Sequence, residues 1–407
     1  MIKKFSWLKK DLIGISLTSL FNDFNYEMTT AILPTFIQQF TGKSSAPVVI
    51  GIIMGFADAG SMVMKLLSGW LSNHIKYFKP ILIIGYSITP ICTSLLGTAT
   101  KIWHIFTFQV IAWMGRGLRD PIKDVWLSNI SNSKDYGKVY GFERSMDTIG
   151  AIAGPLLAFF TIKIFSIRSN FFISFIPGII SIITVIFLTS NYKQNRYSIP
   201  KINLGKQIIR LPSTFKYFSF VMFIFGIANF NRTLLIYRAQ EMLLGQLNSS
   251  IIATGSAILF YVLFNFIRSI SEIGMGSLSD YINKKILLGF FGFGSFFITI
   301  FTLLFAKTHI ILWILIFITA GISTGTITAV EKSYCAELLP ENMRGIGFGF
   351  IQSIDGLGDL LSSAIVGGLW SYISAEVSFI YSLILTLLAF ILILNIKKSN
   401  TNQLLAE

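Results

Sequence analysis

Long apolar segments alternate with short polar ones along nearly the whole chain. About 20 predominantly apolar residues are enough for a helix to cross the hydrocarbon core of a bilayer. Segments of this length, each ending in a polar or Gly/Pro-containing turn, predict an all-α polytopic membrane protein with twelve transmembrane helices. The predicted spans cover residues 12–36, 48–72, 80–98, 102–127, 138–163, 168–189, 216–240, 250–279, 286–305, 309–333, 344–368 and 374–396.

The composition agrees with this prediction and argues against other classes of protein. Of the 407 residues, 53% are hydrophobic and only 13% are charged, whereas a soluble chain carries about 25% charged residues. The two cysteines, Cys92 and Cys335, lie far apart in the sequence, and the three histidines are scattered. We therefore expect no disulfide scaffold, no metal site, no cofactor and no enzymatic activity.

The formal net charge of +14 is interpreted as an orientation signal. When Lys and Arg are assigned to the gaps between spans, 19 fall on the side that holds both termini and five on the opposite side. Because cytoplasmic loops are enriched in Lys and Arg, both termini are predicted to be cytoplasmic. We expect the chain to lie in the plasma (inner) membrane as a monomer surrounded by lipid, without a nucleic-acid partner.

The two halves of the chain match each other at a nearly constant offset. Residues 20–25 align with 226–231 at an offset of 206, and residues 141–150 align with 349–358 at an offset of 208. Two further matches, after spans 2 and 8 and at the ends of spans 4 and 10, hold an offset of 207. The register predicts a duplication. Its parts are a six-helix half over residues 1–190, a cytoplasmic loop over 191–215, a second six-helix half over 216–398 and a cytoplasmic tail over 399–407.

A short motif follows span 2 and recurs after span 8. The second copy contains Gly276, Asp280, Lys284 and Lys285, and in the first copy Gly69 is followed by Asn73 at the acidic position. Together with the duplication, the motif resembles the Gly-x-x-x-Asp-basic-x-Gly-basic-basic loop of the major facilitator superfamily. This resemblance implies two pseudo-symmetric six-helix bundles around a central cavity, which move a small-molecule substrate by alternating access. It also implies that the motif residues form a latch in which glycine permits close helix approach.

Span 5 contains the run Gly150, Gly154, Pro155, with the two glycines one turn apart. The run resembles a Gly-x-x-x-Gly-Pro-x-x-Gly motif on the same helix of proton-linked exporters in that superfamily, with Ala158 at the last glycine. A general packing face of small residues is the alternative interpretation. The resemblance favours export over import.

Charged side chains occur inside several predicted spans. A charge at the bilayer centre costs about 2.5–3.5 kcal/mol, so these groups are expected to face a wet cavity or each other. Depths counted at about 1.5 Å per residue place Asp23 level with Arg116, which we predict as the first coupling pair. Asp23 and Glu27 share one helix face at i, i+4. Because two such close carboxylates do not both ionise cheaply, one is expected to carry a proton, the proposed coupling ion.

The same comparison of depths suggests further pairs. They are Arg119 with Asp147, Asp120 with Arg144, Asp355 with Arg268, and Asp359 with Arg232. In span 4, Arg116 and Arg119 either hold an anionic substrate or are neutralised by neighbouring acids. The candidate substrate or coupling residues are Asp23, Asn25, Glu27, Arg116, Arg119, Asp120, Arg144, Asp147, Asn229, Asn231, Arg232, Asp355 and Asp359.

The function that the sequence favours is secondary active transport of a small organic solute, coupled to protons and directed toward efflux by antiport. Proton-coupled import of an anionic or organic solute by symport is the alternative. A membrane receptor or enzyme that transports nothing is a more remote one.

Overall fold

The computed structural model describes residues 7–72, 75–130, 136–191, 209–247, 249–307, 309–339 and 343–396. These residues are organised around α-helices, numbered α1 to α12 in chain order. Their bounds are Lys10–Ser72 (α1), Lys79–Leu95 (α2), Ile102–Ile130 (α3), Tyr136–Thr161 (α4), Ile167–Leu188 (α5), Ser213–Ala228 (α6), Arg232–Leu247 (α7), Ser250–Leu278 (α8), Lys284–Leu303 (α9), Ile310–Leu338 (α10), Arg344–Tyr372 (α11) and Ala375–Leu394 (α12). The prediction of an all-α membrane protein is confirmed.

Helices coincide with all the predicted spans, but their division differs at two places. Spans 1 and 2 are two helical stretches that meet without a loop at a kink at Gly42, where φ is 73°, and α1 includes both of them. Glycine adopts this left-handed conformation without steric cost. Span 7 is split into α6 and α7, because Asn229 takes an extended conformation with φ −82° and ψ 102°.

Eight helical segments of the described chain are long and apolar enough to cross a membrane. This number is smaller than the twelve predicted spans, since α1 holds two of them and α3, α4 and α11 do not qualify. Those three helices carry many of the intramembrane charges, which lower their mean hydropathy.

The helices form two compact units. The first unit contains α1 to α5, α7 and the part of α8 up to Asn265. Within it, α1 packs against α3, α4, α5 and α7. The second unit contains α6, the rest of α8 and α9 to α12, with α6 packed against α11 and α12. Helix α7 thus belongs to the second half by sequence but packs within the first unit, and the predicted half boundaries stay a prediction.

One close helix contact occurs at matching positions of both units. In the first unit, a Cβ atom added to Gly150 of α4 would overlap the carbonyl oxygen of Leu20 in α1. In the second unit, a Cβ atom added to Gly358 of α11 would lie 2.9 Å from the Cα atom of Gly226 in α6. The sequence alignment matches Leu20 to Gly226 and Gly150 to Gly358.

A second close contact is repeated in the same way. A Cβ atom on Gly117 of α3 would overlap the carbonyl oxygen of Ser61 in α1, and one on Gly325 of α10 would overlap that of Arg268 in α8. The two glycines are 208 positions apart and the two contacted residues are 207 apart. The duplication therefore extends from the sequence to the contacts within each unit.

Candidate functional site

Glu27 lies on α1 of the first unit and is only 2% exposed. Its Oε1 atom is 3.4 Å from Nη2 of Arg232, at the start of α7. Its Oε2 atom accepts a hydrogen bond from the hydroxyl group of Tyr261 on α8. Because a buried carboxylate without partners is strongly unfavourable, the arginine and the tyrosine together explain how Glu27 is accommodated.

Tyr26 lies beside Glu27 and contacts two arginines. Nη2 of Arg232 donates a hydrogen bond of 2.6 Å to the Tyr26 hydroxyl group. The guanidinium group of Arg116 lies over the Tyr26 ring, 4.7 Å from its centroid. A cation over a desolvated aromatic face is attracted to the electron-rich ring. Tyr26 therefore connects the Arg116 side chain of α3 to the Glu27–Arg232 ion pair.

Asp58, near the middle of the second half of α1, forms a polar bridge to two other helices. Its Oδ1 atom accepts a 2.9 Å hydrogen bond from the indole nitrogen of Trp113. Its Oδ2 atom accepts a 3.1 Å hydrogen bond from Nδ2 of Asn231. The Oδ1 atom of Asn231 in turn accepts a hydrogen bond from the backbone N–H of Thr233, in the first turn of α7. The predicted site residue Asn231 thus caps α7 and positions it against α1.

The structure pairs Asp23 and Arg116 differently from the sequence prediction. Asp23 Oδ1 lies 3.7 Å from Nη2 of Arg119, and Arg116 Nε lies 3.8 Å from Oδ2 of Asp120. Equal depth in the membrane does not fix the direction in which each side chain leaves its helix. Arg116 therefore pairs with an acid at i, i+4 on its own helix.

Arg119 is 3% exposed and joins α1, α2 and α3. Its Nε atom lies 3.5 Å from Asp120 Oδ1. Its Nη1 atom donates to Asn22 Oδ1 and, at 3.4 Å, to Thr89 Oγ1. Its guanidinium group lies 4.5 Å from the centroid of the Tyr86 ring. These contacts use the planar, many-donor geometry of arginine and mark the residue as a structural anchor.

Asp23 and Glu27, one of which was expected to carry a proton, have different cationic neighbours. Arg119 lies next to Asp23, and Arg232 lies next to Glu27. Each carboxylate therefore has its own cation, and the expected repulsion between the two acids is compensated.

A second ionic cluster on α3 and α4 replaces the predicted pairs of Asp147 and Arg144. Lys123 Nζ lies 2.5 Å from Glu143 Oε1 and 3.9 Å from Asp147 Oδ2. Arg144 Nη1 lies 3.7 Å from the same Asp147 oxygen. Asp147 thus pairs with Lys123 and Arg144, whereas Arg119 pairs with other acids.

Asn25 and the predicted span-5 motif both contribute to packing around α1. Nδ2 of Asn25 donates a 2.8 Å hydrogen bond to the Ser174 carbonyl oxygen of α5, and its Oδ1 atom accepts one from Thr93 of α2. A Cβ atom on Gly154 of α4 would lie 2.5 Å from the Phe24 carbonyl oxygen. The motif therefore packs directly on the turn of α1 that carries Glu27, and Pro155 follows within α4.

The second unit contains a cavity of about 210 Å³ between α6, α10 and α11. The predicted residues Asn229, Asp355 and Asp359 line it, together with Glu331. Asp355 was predicted to pair with Arg268, and this pairing stays a prediction, while Asp355 and Glu331 line the same cavity. The sequence signal for Glu331 was its alignment with Asp124 in the duplication, although Glu331 was not chosen as a site residue.

In the loop motif after α8, the two lysines form polar contacts with α10 and with the end of α12. Lys284 Nζ lies 2.8 Å from Glu337 Oε2 on α10, and Lys285 Nζ donates a 3.2 Å hydrogen bond to the Ile396 carbonyl oxygen after α12. Such cations at a helix C-terminus complement its exposed carbonyl groups.

The approach of the motif glycines to a helix of the other half stays a prediction. A Cβ atom on Gly276 would lie 3.7 Å from Ala329 Cβ, an ordinary contact, and one on Gly69 would meet open space. Asp280 is exposed in the turn after α8, and Asn73 lies outside the described residues.

Sequence reasoning missed the aromatic residues of the Glu27 cluster. Tyr26, Tyr261 and Trp113 each place a polar atom or a ring against a charged group. Aromatic residues in an apolar helix usually serve in packing. Because the chain has 14 tyrosines, the sequence did not distinguish Tyr26 and Tyr261 from the others. The position of Tyr26 next to Glu27 was the one local signal available.

Comparisons of the sequence identify related proteins. Residues 15–267 and 221–405 match the profile of the Major Facilitator Superfamily. An uncharacterized MFS-type transporter of Methanocaldococcus jannaschii is 30% identical over 389 residues, which cover 95% of either chain.

Solved structures with the same fold are also transporters. A mutant of the nucleoside transporter NupG has a TM-score of 0.80 at 11% identity, covering 95% of this chain and 100% of that one. A D-xylose-proton symporter has a TM-score of 0.74 at 14% identity, covering 97% and 99%. A bacterial homolog of the human lysosomal transporter Spinster has a TM-score of 0.73 at 14% identity, with the same coverage. At such identities the similarity is one of fold.

Proposed function

Because the chain belongs to the Major Facilitator Superfamily and is thus a membrane transporter rather than an enzyme, we propose that it moves a small organic solute in exchange for protons. In this proposal the solute leaves the cell as protons enter. Glu27 is the proton-carrying group, and Arg232 is its alternating partner.

The observation that carries the proposal is the burial of Glu27 with one arginine and one tyrosine. An ionisable residue inside a membrane-spanning helix is costly and typically serves a proton or substrate pathway. When Glu27 is ionised, the Arg232 cation neutralises it at 3.4 Å. When Glu27 binds a proton, this attraction is lost and Arg232 is free to pair with another group. Protonation and the position of α7 are linked in this way.

The direction of export is supported by the helix α4 motif. Gly154 of the exporter-like motif packs on the turn of α1 that contains Glu27 and Met28, with the Met28 nitrogen 2.8 Å from the position of an added Cβ atom. A movement of α4 would therefore displace the turn of α1 that contains Glu27. Tight contacts of this kind behave as packed, two-position elements rather than soft ones.

The test is a screen for solute-dependent proton movement. The full-length chain is reconstituted in liposomes that enclose a pH-sensitive dye, and small organic solutes are added outside. We expect at least one solute to make the lumen more alkaline, because protons leave as the solute enters by antiport. Acidification by every active solute would indicate symport and import. No pH change with any transported solute would contradict proton coupling.

A further inference from the structure

Asp58 is an intramembrane acid that has no part in the proposed proton transfer. It lies in the second helical stretch of α1 and is partly buried. Each of its carboxylate oxygens accepts one hydrogen bond, Oδ1 from the indole nitrogen of Trp113 at 2.9 Å and Oδ2 from Nδ2 of Asn231 at 3.1 Å. Both donors are uncharged groups. Because an ionisable residue inside a membrane-spanning helix is costly, a function is expected for it.

The hydrogen bond to Oδ1 holds an aromatic ring against Tyr26. Trp113 is supplied by α3 and is 5% exposed. Its ring centroid lies 4.5 Å from that of Tyr26, with an angle of 59° between the ring planes. A buried indole N–H needs a hydrogen-bond acceptor, and Asp58 provides it. One oxygen of Asp58 thus orients the ring that packs on the residue next to Glu27.

The hydrogen bond to Oδ2 holds the start of α7. Asn231 uses its Oδ1 atom to accept the backbone N–H of Thr233 at 2.9 Å, which makes it the N-cap of this helix, and uses its Nδ2 atom to contact Asp58. Arg232 is the first residue of α7, and its Nη2 atom lies 2.6 Å from the Tyr26 hydroxyl oxygen and 3.4 Å from Glu27 Oε1. The cap residue held by Asp58 therefore directly precedes the arginine that pairs with Glu27.

The two hydrogen bonds of Asp58 thus converge on the same place from two helices. Residues 229–231, before α7, are not helical, so side-chain contacts rather than a helical backbone position this segment. We propose that Asp58 is a positioning residue of the transporter, which holds Asn231 so that Arg232 is placed against Glu27. Asp58 contacts neither member of the ion pair and acts through the cap residue.

This inference rests on the proposed function, because proton transfer is assigned to the pair that Asp58 positions. Its test requires neither a solute nor a pH gradient and measures only how firmly Arg232 is held. A chain that transports without protons would leave the result of this test unchanged. An Arg232 that does not depend on Asp58 would leave proton coupling by Glu27 intact. Failure of one proposal is therefore distinguishable from failure of the other.

Two single substitutions break the link between Asp58 and Asn231 from opposite ends. Asp58→Asn puts an amide N–H group where Oδ2 accepted, so the hydrogen bond from Nδ2 of Asn231 is lost. Asn231→Ser loses the same hydrogen bond but keeps the charge of Asp58, and serine is itself a favoured N-cap for the Thr233 N–H group. Together the two variants separate the effect of the hydrogen bond from the effect of the charge.

The double substitution Asp58→Asn with Asn231→Asp restores the link in the reverse direction. The amide at position 58 then donates to the carboxylate at position 231, whose second oxygen still accepts the Thr233 N–H group. The oxygen of the same amide still accepts from Trp113. The number of hydrogen bonds and the net charge are therefore those of the unaltered chain, whereas the carboxylate has moved from α1 to the cap of α7.

The readout is the reaction of Arg232 with phenylglyoxal, an uncharged reagent that modifies accessible guanidinium groups. The full-length chain in detergent is treated for increasing times, and the modified arginines are located and quantified by mass spectrometry. We expect each single variant to raise the rate at Arg232 by about fivefold, the effect of one lost hydrogen bond, and the double variant to return it to within about twofold of the unaltered chain. Arg238 on the same helix, paired with Glu241 at 2.8 Å, is the internal control, and its rate should not change.

Two results would overturn the proposal. An unchanged rate at Arg232 in either folded single variant would show that the link between Asp58 and Asn231 does not hold the arginine. A rate that stays raised in the folded double variant would show that Asp58 acts through its charge at its own position. Thermal unfolding reports whether each variant is folded. If a variant of Asp58 does not fold, Asn231→Ser, which keeps the carboxylate and the cap, decides the outcome.

Discussion

Arg116 and Arg119 lie one turn apart on α3 but have very different surroundings. Arg119 is 3% exposed and contacts two acids, an amide, a hydroxyl group and an aromatic ring. The side chain of Arg116 is 26% exposed, forms one ion pair with Asp120 and lies over Tyr26. The position of an arginine relative to its neighbours, rather than its depth in the membrane, decides its role.

The substitution Arg119→Lys tests this difference. Lysine keeps the charge but loses the planar fork, so several buried acceptors lose their donors. We expect the free energy of unfolding to fall by about 2–3 kcal/mol, measured by thermal unfolding in detergent. Arg116→Lys is the matched control and is expected to cost less than about 1 kcal/mol, because its ion pair is partly exposed. Equal losses would contradict the anchoring role of Arg119.

The contact between Tyr261 and Glu27 is tested by a double-mutant cycle. Tyr261→Phe removes only the hydroxyl group that donates to Glu27. A hydrogen bond to a charged group contributes about 1.5–3 kcal/mol, and we expect a loss of this size in the unfolding free energy. In a chain that already carries Glu27→Gln, the same change should cost much less. Additive losses would show that the two side chains are not coupled.

For individual side chains, the sequence predicted which charged residues lie inside the membrane but not how they pair. Glu27 and Arg232 were both candidates, yet 205 positions separate them in the sequence. Their contact depends on the path of α7 within the first unit. Counting residues along a helix predicts how deep a side chain lies in the membrane. To predict an ion pair, one must also know how each helix is rotated about its axis, because the rotation decides which neighbour a side chain faces. That rotation is set by packing, which a single sequence does not reveal.

Close helix packing in this protein depends on glycines at defined positions. Gly154 and Gly141 both lie on α4, but only Gly154 faces another backbone closely. A Cβ atom on Gly154 would lie 2.5 Å from the Phe24 carbonyl oxygen, and one on Gly141 would have no neighbour within 4 Å. The two positions therefore form a matched pair for testing the contact of α4 with α1.

We expect Gly154→Ala to lower the free energy of unfolding by about 1–3 kcal/mol, because the helices must separate or bend to admit a methyl group. Gly141→Ala should be neutral or stabilising by up to about 1 kcal/mol, since alanine favours helix. Thermal unfolding of both variants in detergent measures the difference. If Gly154→Ala were as stable as Gly141→Ala, the close contact with α1 would be disproved.

The helices themselves were largely predictable, since each apolar span became helical. The helix boundaries differ from the predicted spans at two places, and each difference has a local cause that hydropathy does not reveal. The break after Ala228 falls inside an apolar segment, where Asn229 and Asn231 interrupt the helix and cap the next one. Spans 1 and 2 are two helical stretches of α1 that meet at the kink at Gly42.

The whole molecule combines duplicated contacts with unequal polar groups in its two units. The glycine contacts of the first unit recur in the second at offsets of 206 to 208. The Glu27 carboxylate does not recur, because its position corresponds at an offset of 206 to Thr233. Duplication therefore preserved the packing, while the charges came to differ. The family and the repeat were readable from the sequence because both depend on spacing along the chain.

The orientation of the molecule in the membrane is open to a simple test. The positive-inside distribution of Lys and Arg predicts that both termini are cytoplasmic. A fluorescent protein fused after Glu407 should fluoresce, because it folds in the cytoplasm, and alkaline phosphatase fused at the same point should be inactive. Fusions after Thr100, between α2 and α3, should give the reverse. Active phosphatase at the C-terminus would refute the orientation.

The proposal that Glu27 couples solute movement to protons is tested in liposomes containing the full-length chain. A solute identified by the proton-movement screen is followed in two ways, as counterflow without a pH gradient and as transport driven by one. We expect Glu27→Gln to retain counterflow and lose gradient-driven transport, while the control Glu241→Gln, whose acid pairs with Arg238 on α7, retains both. Undiminished gradient-driven transport by Glu27→Gln would contradict the claim.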